Sequence, residues 1–258
     1  MLNFGEFFGT VFPARTKHHP APPHPAVPSG MRVYVVGDIH GEAKLFERLC
    51  RRIHADRAET DLDCVLILLG DYIDRGPRSR TVLDMLASEP AGGLTTRCLL
   101  GNHEAAMLEF LKDPIAGARW LDFGGIETLA SYGVTAPAGT ADPSRLTAMR
   151  DALLEVLPQA HREFLENLET MIILGDYAFV HAGINPRRPL DRQEILDLLT
   201  IRGPFLRSSK WHGKRIVHGH TIVPAPELLP NRIALDTGAY ASGLLSGLVL
   251  EGAYQRLL

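Results

Sequence analysis

Residues 32–41 read RVYVVGDIHG, residues 64–76 read CVLILLGDYIDRG, and residues 97–104 read RCLLGNHE. In each stretch an apolar run ends at a glycine, and aspartate, asparagine or histidine follows at once. Short apolar runs of this kind predict strands that are buried on both faces of a largely parallel sheet. Because the carboxyl ends of parallel strands meet at one edge of a sheet, we expect the polar side chains of the three turns to lie together there.

Apolar residues with helical spacing follow each predicted strand, over residues 43–53, 81–88 and 104–111. This alternation of strand and helix predicts an α/β fold. Residues 120–169 are helix-rich and contain no strand-like run. Strand signals then return, and the short turns between several of them favour a second, more antiparallel sheet. These later runs span residues 171–174, 178–181, 215–218, 233–236, 244–250 and 254–257.

Two of the later runs also end in polar turns, His181-Ala182-Gly183 and His218-Gly219-His220. Together the five turns supply aspartate, histidine and asparagine but no cysteine. Oxygen and nitrogen ligands of this kind suit Mn, Fe or Zn, whereas structural zinc sites rely on thiolates. The five turns offer more ligands than one ion needs, so the sequence predicts a pair of metals that share a bridging carboxylate.

Taken in order, GDIHG, GDYIDRG, GNHE, HAG and HGH resemble the signature blocks of the calcineurin-like metallophosphoesterases. The resemblance is to the phosphoprotein phosphatase branch, which includes bacterial and phage Ser/Thr phosphatases, and it spans residues 37–220. It implies a metallophosphoesterase-type β-sandwich of two mixed sheets flanked by helices, with a helical segment covering the site. It also implies a phosphoric monoester hydrolase with two divalent metal ions. Mn²⁺ is the expected metal, and Fe and Zn are the alternatives.

The resemblance also implies which residues bind the two metals. The implied set is Asp38 and His40 on the first metal, Asp71 between the two, and Asn102, His181 and His220 on the second. In many members of the wider superfamily the last block reads Gly-His-x-His, but here Ile222 stands two residues after His220. The first metal therefore keeps three protein ligands. For His218 two roles stay open, a contact with metal or substrate and a hydrogen-bonded structural role at the strand end.

A phosphate monoester leaves as an alkoxide that must be protonated. His103 follows the ligand Asn102 and is the expected general acid. Asp74 would hold the His103 imidazolium and support its charge, as a second carboxylate does in other catalytic pairs.

Phosphate binding is expected from two arginines together with Asn102. Arg75 offers a planar fork of donors that matches phosphate oxygens. The segment IRGPF (201–205) resembles the block that supplies the second arginine, so Arg202 is the candidate. Thr200 departs from the pattern, because bacterial relatives often carry tryptophan there.

The resulting hypothesis is a phosphatase that hydrolyses phosphomonoesters, with phosphoserine and phosphothreonine in proteins as the preferred substrates. In this hypothesis a metal-bridging hydroxide attacks phosphorus in line. One alternative is hydrolysis of dinucleoside polyphosphates by a related branch. Those relatives usually lack the Asp-Arg pair and carry Asp after Gly-Asn-His, whereas this chain has Asp74, Arg75 and Glu104. An alternative of another class is a noncatalytic docking module on the same fold.

The composition and charge of the chain limit the classes of molecule that it is expected to bind. The 258 residues carry a net charge of −3, so no basic field favours nucleic acid. No uncharged apolar run is long enough to predict a membrane span. Cys50, Cys64 and Cys98 lack metal-ligand spacing and indicate reduced thiols in the cytoplasm. The expected partner is a phosphorylated protein or a small phosphoester, and the sequence leaves the oligomeric state open.

The domain organisation is predicted as an apolar N-terminus with a mobile Pro-rich tether (1–30) followed by the metallophosphoesterase domain (31–258). A helical insert is expected at about 104–169 within that domain. Of the 11 histidines, the tether holds His18, His19 and His24, and structural roles are expected for His54, His161 and His212. Further structural roles are predicted for Trp120 and Trp211 in packing, Glu104 in starting its helix, and Arg207, Lys210, Lys214 and Arg215 on a solvated face.

Overall fold

Two five-stranded sheets face each other in the computed structural model, which describes residues 24–88, 93–136 and 142–258. The strands are β1 (Met31–Val36), β2 (Asp63–Leu68), β3 (Thr95–Cys98), β4 (Ile172–Leu174), β5 (Tyr177–Phe179), β6 (Arg215–His218), β7 (Glu227–Leu228), β8 (Arg232–Ala234), β9 (Gly247–Glu251) and β10 (Tyr254–Leu257). The helices are α1 (Ala43–Arg57), α2 (Ser79–Ala87), α3 (Asn102–Lys112), α4 (Gly125–Ser131), α5 (Pro143–Val156), α6 (Gln159–Glu166), α7 (Ile195–Thr200), α8 (Gly203–Leu206) and α9 (Ala239–Ser242), with 3₁₀ helices at Ala116–Phe123 and Leu190–Arg192.

Strand β1 shows how the layers form. Val33 and Val35 point between the sheets and share a buried cluster with Phe179 of β5. Tyr34 and Val36 point the other way, under helices α1 and α2. Because both faces are covered, the strand is apolar throughout. A third cluster joins α7 and α8 to the outer face of the second sheet. The predicted α/β sandwich of two mixed sheets flanked by helices is confirmed.

The first sheet has the order β10-β9-β1-β2-β3 and the second β4-β5-β6-β8-β7. Strands β1, β2 and β3 are parallel neighbours, as the strand-helix alternation predicts. The hairpin β9–β10, however, pairs antiparallel with β1 and completes the first sheet. In the second sheet β5–β6 and β6–β8 are parallel.

The prediction of a more antiparallel second sheet is therefore wrong for its centre. Parallel neighbours need long crossover connections. Helices α7 and α8 lie in the connection between β5 and β6, a role that the short later runs did not reveal. Only the outer pairs β4–β5 and β7–β8 are antiparallel.

The end of the predicted tether is docked on the domain. Ala26 donates its N–H to the Asp176 carboxylate at 3.1 Å, and Val27 donates to the Gly252 carbonyl at 3.0 Å. The Val27 side chain is buried between the sheets. The free arm predicted for residues 24–30 is thus not found, because the apolar Val27 side chain packs in a buried cluster of the core. Residues 1–23, with His18 and His19, lie outside the described residues.

Several structural predictions can be compared directly with the contacts. Buried His161 contacts the Tyr132 hydroxyl at 2.7 Å and Asp84 at 3.1 Å, in agreement with a structural role. Arg215, predicted to lie on a solvated face, is instead buried, because its guanidinium donates to the Leu229 carbonyl and to the Gln255 side chain. The three cysteines are free thiols. Within the described ranges no helix has the length and apolar character needed to cross a membrane.

Candidate metal centre

The predicted ligands lie at one edge of the two sheets, in the turns that follow five strands. Asp38 and His40 follow β1, and Asp71 follows β2. Asn102 begins α3 after β3, His181 follows β5, and His220 follows β6. Because the two sheets pack face to face, turns that are far apart in the chain meet at this edge.

The backbone of these turns is strained. In the described part of the chain, left-handed φ angles at non-glycine residues occur at His40 (45°), Asp71 (52°), Asp74 (72°), Arg75 (66°) and His220 (62°). All five are predicted site residues. Such conformations cost free energy and persist where the surrounding structure enforces them, as in functional sites.

Glu104 fixes the turn after β2 against the start of α3. Its buried carboxylate accepts N–H groups from Asp71 at 2.9 Å, Tyr72 at 2.8 Å, Ile73 at 3.2 Å and Gly101 at 3.1 Å. A side chain at Gly101 would lie 2.2 Å from Asp71 Oδ1, so only glycine allows this close approach. The predicted helix-capping role of Glu104 therefore extends to a second loop.

Two groups of side chains offer ligand atoms that all lie within 4.8 Å of one another. The groups are His40, Asp71 and His103, and Asp71, His181 and His220. Asp71 Oδ2 is 3.6 Å from His40 Nε2 and 3.4 Å from His181 Nε2. Asn102 Oδ1 lies 3.0 Å from His181 Nε2 and so belongs beside the second group. Asp71 is common to both groups, which is the arrangement that a bridging carboxylate requires.

Backbone carbonyls orient two of the imidazoles. The Nδ1 of His40 lies 2.9 Å from the Ile73 carbonyl, and the Nδ1 of His181 lies 2.8 Å from the Leu69 carbonyl. When Nδ1 donates to a carbonyl, the Nε2 lone pair is free to bind a cation. Burial lowers the pKa of His40 to about 4, so this ring is a neutral ligand at neutral pH.

Among the described residues neither of the two ligand groups includes Asp38, which stays a predicted ligand. Asp38 Oδ2 accepts the His220 N–H at 2.9 Å, which directs this carboxylate toward the turn after β6. Its Oδ1 is buried and has no hydrogen-bond partner in the part of the chain that the structure describes. Burial, together with the carboxylates of Asp236 and Asp71, raises the pKa of Asp38 well above its usual value.

The site fits a pair of divalent cations on these observations. Buried Asp38 Oδ1 and His220 Nε2 both lack a hydrogen-bond partner among the described residues. Burial lowers the pKa of His220 to about 3, which leaves this nitrogen unprotonated and able to bind a cation. Three carboxylates, those of Asp38, Asp71 and Asp236, lie close together here, and within the described ranges none of them forms a salt bridge with an arginine or lysine. Cations would offset this buried negative charge.

Asp74 and His103 form the second part of the site. The Nδ1 of His103 lies 2.7 Å from Asp74 Oδ2, and both side chains are buried. Trp120 donates its indole N–H to both oxygens of Asp74, and the Thr128 hydroxyl donates to Oδ1 at 2.6 Å. Burial opposes the imidazolium, but the charges of Asp71 and Asp74 outweigh it and raise the pKa of His103.

A cavity of about 250 Å³ opens over these groups. Its lining residues are His40, Asp71, Arg75, Asn102, His103, Arg202, His220, Thr221, Ile222 and Asp236. Both predicted phosphate-binding arginines therefore face the same cavity as Asn102. His218, for which two roles were considered, does not line the cavity. It is buried, its Nδ1 lies 3.1 Å from the Gly219 carbonyl, and its ring packs on Phe205.

Four residues of the site were not identified as such from the sequence. Asp236 lines the cavity, and Tyr240 contacts Arg75. Trp120 and Thr128 hold Asp74 from the helical insert. A signal existed for Asp236, because IALDTG (233–238) is another apolar run that delivers an aspartate into a glycine turn. The packing role predicted for Trp120 is correct, but its indole N–H has a second role.

Comparisons with known proteins agree with this fold. Residues 31–224 match the calcineurin-like phosphoesterase family. Serine/threonine-protein phosphatase 2 of Escherichia coli (strain K12) is 41% identical over 224 residues, which cover 83% of this chain and 90% of that protein. The symmetrical bis(5'-nucleosyl)-tetraphosphatase of Delftia acidovorans (strain DSM 14801 / SPH-1) is 38% identical over 183 residues, which cover 70% of this chain but 53% of that protein. A solved structure of a candidate diadenosine tetraphosphatase, 22% identical, aligns with a TM-score of 0.59 over 88% of this chain and 92% of that chain.

Proposed function

The chain belongs to the calcineurin-like phosphoesterase family, and from that premise we propose that it hydrolyses phosphomonoesters, with phosphoserine and phosphothreonine in proteins as its substrates. One observation carries the proposal: the buried His103–Asp74 pair and the two arginines Arg75 and Arg202 belong to a single site. Cleavage of a phosphate monoester with a poor leaving group needs a proton donor beside positively charged side chains that bind the phosphate.

The predicted ligands at this edge would hold two divalent cations, with Mn²⁺ as the preferred metal. The ligands are Asp38, His40 and Asp71 for one ion and Asp71, Asn102, His181 and His220 for the other. When bound, such a pair supplies a water of lowered pKa as nucleophile and offsets charge on the phosphoryl oxygens.

The chain's own residues perform the rest of the reaction. Arg75, Arg202 and Asn102 bind the phosphoryl oxygens and hold phosphorus in line for attack by water. The phosphorus bond to the seryl or threonyl oxygen breaks, and His103 Nε2 donates a proton to that oxygen. Asp74 keeps Nδ1 of His103 protonated and stabilises the imidazolium before transfer. The products are the free alcohol and inorganic phosphate.

Hydrolysis of dinucleoside polyphosphates is the second candidate. It is favoured by the 38% identity to a symmetrical bis(5'-nucleosyl)-tetraphosphatase, which lies close to the 41% identity to a Ser/Thr phosphatase. The His103–Asp74 pair favours the monoesterase, because a nucleotide leaving group is already a weak base and gains less from a general acid than a seryl alkoxide does.

A rate comparison on metal-reconstituted protein tests the proposal. Mn²⁺-loaded chain is assayed with a phosphothreonine peptide and with diadenosine tetraphosphate, and the Asp71→Asn variant serves as the inactive control. We expect a larger kcat/KM for the peptide. A larger value for diadenosine tetraphosphate would select the second candidate. No turnover of either substrate, with two metals bound per chain, would favour the noncatalytic docking module.

A further inference from the structure

Tyr240 is in direct contact with Arg75 although it does not line the cavity. Its hydroxyl oxygen accepts an N–H from Arg75 Nη1 at 2.6 Å. The guanidinium carbon lies 4.8 Å from the centre of the Tyr240 ring, within cation–π distance. Arg75 is therefore held at one edge by a hydrogen bond and on one face by an aromatic ring.

Tyr240 is itself fixed by neighbouring loops. It lies in the short helix α9, whose preceding residue Gly238 donates its N–H to the Asp236 carboxylate at 2.8 Å. Its ring meets His40 edge-on, with 5.4 Å between ring centres. The turn after β8 thus reaches both the turn after β1 and the turn after β2.

From this geometry we propose that Tyr240 is a positioning residue that fixes the Arg75 guanidinium for phosphate binding, an inference that rests on the phosphate-binding role assigned to Arg75 above. Free arginine side chains have many rotamers, and a planar fork binds phosphate oxygens best when its orientation is set beforehand. Tyr240 engages Nη1 only. No acceptor for Arg75 Nε or Nη2 is found among the described residues, so these donors stay available to the phosphoryl oxygens.

A double-mutant cycle tests this role. The variants are Tyr240→Phe, Arg75→Ala and the two combined, and Tyr254→Phe is the matched control because Tyr254 is exposed on β10. Tyr240→Phe keeps the ring against His40 and removes only the hydroxyl. We expect it to raise KM for a phosphothreonine peptide about tenfold with kcat nearly unchanged, because a hydrogen bond to a charged group is lost. In the Arg75→Ala background the same change should have no effect.

Binding of inorganic phosphate to the metal-loaded protein gives a second readout that needs no turnover. We expect the phosphate affinity measured by calorimetry to fall with Tyr240→Phe and with Arg75→Ala. The double variant should bind phosphate as weakly as Arg75→Ala alone. Equal effects of Tyr240→Phe with and without Arg75 would overturn the inference, and so would an Arg75→Ala variant that binds phosphate like the wild type. A wild-type chain that binds phosphate but turns over no phosphoester would instead overturn the proposed function.

Discussion

The imidazole Nδ1 of His103 lies 2.7 Å from the Asp74 carboxylate, and both side chains are almost fully buried. A carboxylate in such a place needs several donors, because burial alone raises the pKa of Asp74. Trp120 and Thr128 supply them from the helical insert. The helical insert therefore holds the buried Asp74 carboxylate against His103.

Asp74→Asn should reduce kcat on a phosphothreonine peptide by about a thousandfold, since the corresponding change in a histidine–carboxylate pair of another enzyme costs even more. The amide cannot stabilise the imidazolium and turns an N–H toward Nδ1. Metal content, measured by elemental analysis, should stay at two per chain because Asp74 is not a predicted ligand. The control is Asp63→Asn, because Asp63 is an exposed aspartate at the start of β2. Wild-type turnover by Asp74→Asn would remove this residue from the mechanism.

His103→Ala should affect substrates according to their leaving groups. A phosphoserine peptide leaves as a strongly basic alkoxide and needs the proton, whereas an aryl phosphate with an activated phenol does not. We expect a loss of kcat at least about a hundredfold larger for the peptide. Because the charges of Asp71 and Asp74 raise the pKa of His103 despite its burial, the wild type should keep peptide turnover to a higher pH than an unperturbed imidazole would allow. Equal losses on both substrates would contradict the general-acid role.

Thr128→Val tests the contribution of the insert at nearly constant volume. The hydroxyl donates to Asp74 Oδ1 at 2.6 Å and accepts the Asp74 N–H at 2.9 Å, and valine can do neither. We expect kcat to fall about tenfold with KM unchanged, because one charged hydrogen bond is lost behind the acid-base pair. Thr147→Val on α5 is the matched control. Unchanged kcat would show that Trp120 alone orients Asp74.

The edge of the sheets that carries the site could be predicted from the sequence because its signal is local. At Asp38, Asp71 and His181 an apolar run and a polar turn stand side by side in the chain, so strand and ligand are identified together. The same signal is present at Asp236, in IALDTG (233–238). The resemblance added the order of the blocks, and the need to protonate a leaving alkoxide then predicted roles for His103 and Asp74.

What escaped prediction depends on contacts between distant parts of the chain. Trp120 reaches Asp74 across 46 positions and Thr128 across 54, and neither sequence neighbourhood carries a mark of that contact. The pairing of β9 with β1 was missed for the same reason. Strand propensity predicts that a strand exists but not which edge it joins. Val27 is buried because its side chain packs with core residues that are distant in sequence, a contact that the prolines around it do not reveal.

Glu104→Ala should destabilise the protein chiefly by leaving buried backbone donors without an acceptor. The carboxylate accepts four backbone N–H groups, and without it these buried donors lose their partner. We expect the free energy of unfolding to drop by about 3–5 kcal/mol in urea titrations. Glu109→Ala on the exposed side of the same helix is the control and should change it by less than about 0.5 kcal/mol. A drop no larger than that of the control would mean that water replaces the carboxylate.

His218 should make the protein sensitive to acid. Burial lowers its pKa from 6.5 to about 3, and its ring packs on Phe205 outside both ligand groups. Between these two values the unfolded chain holds a proton that the folded chain lacks, so stability rises with pH and is lost as pH falls below about 6.5. This group alone contributes a slope of about 1.4 kcal/mol per pH unit in that window. His218→Gln, which cannot titrate, should show a correspondingly smaller loss between about pH 6 and about pH 4 in urea unfolding of the metal-free protein. An identical pH dependence in the variant and the wild type would mean that water reaches His218 in the folded state.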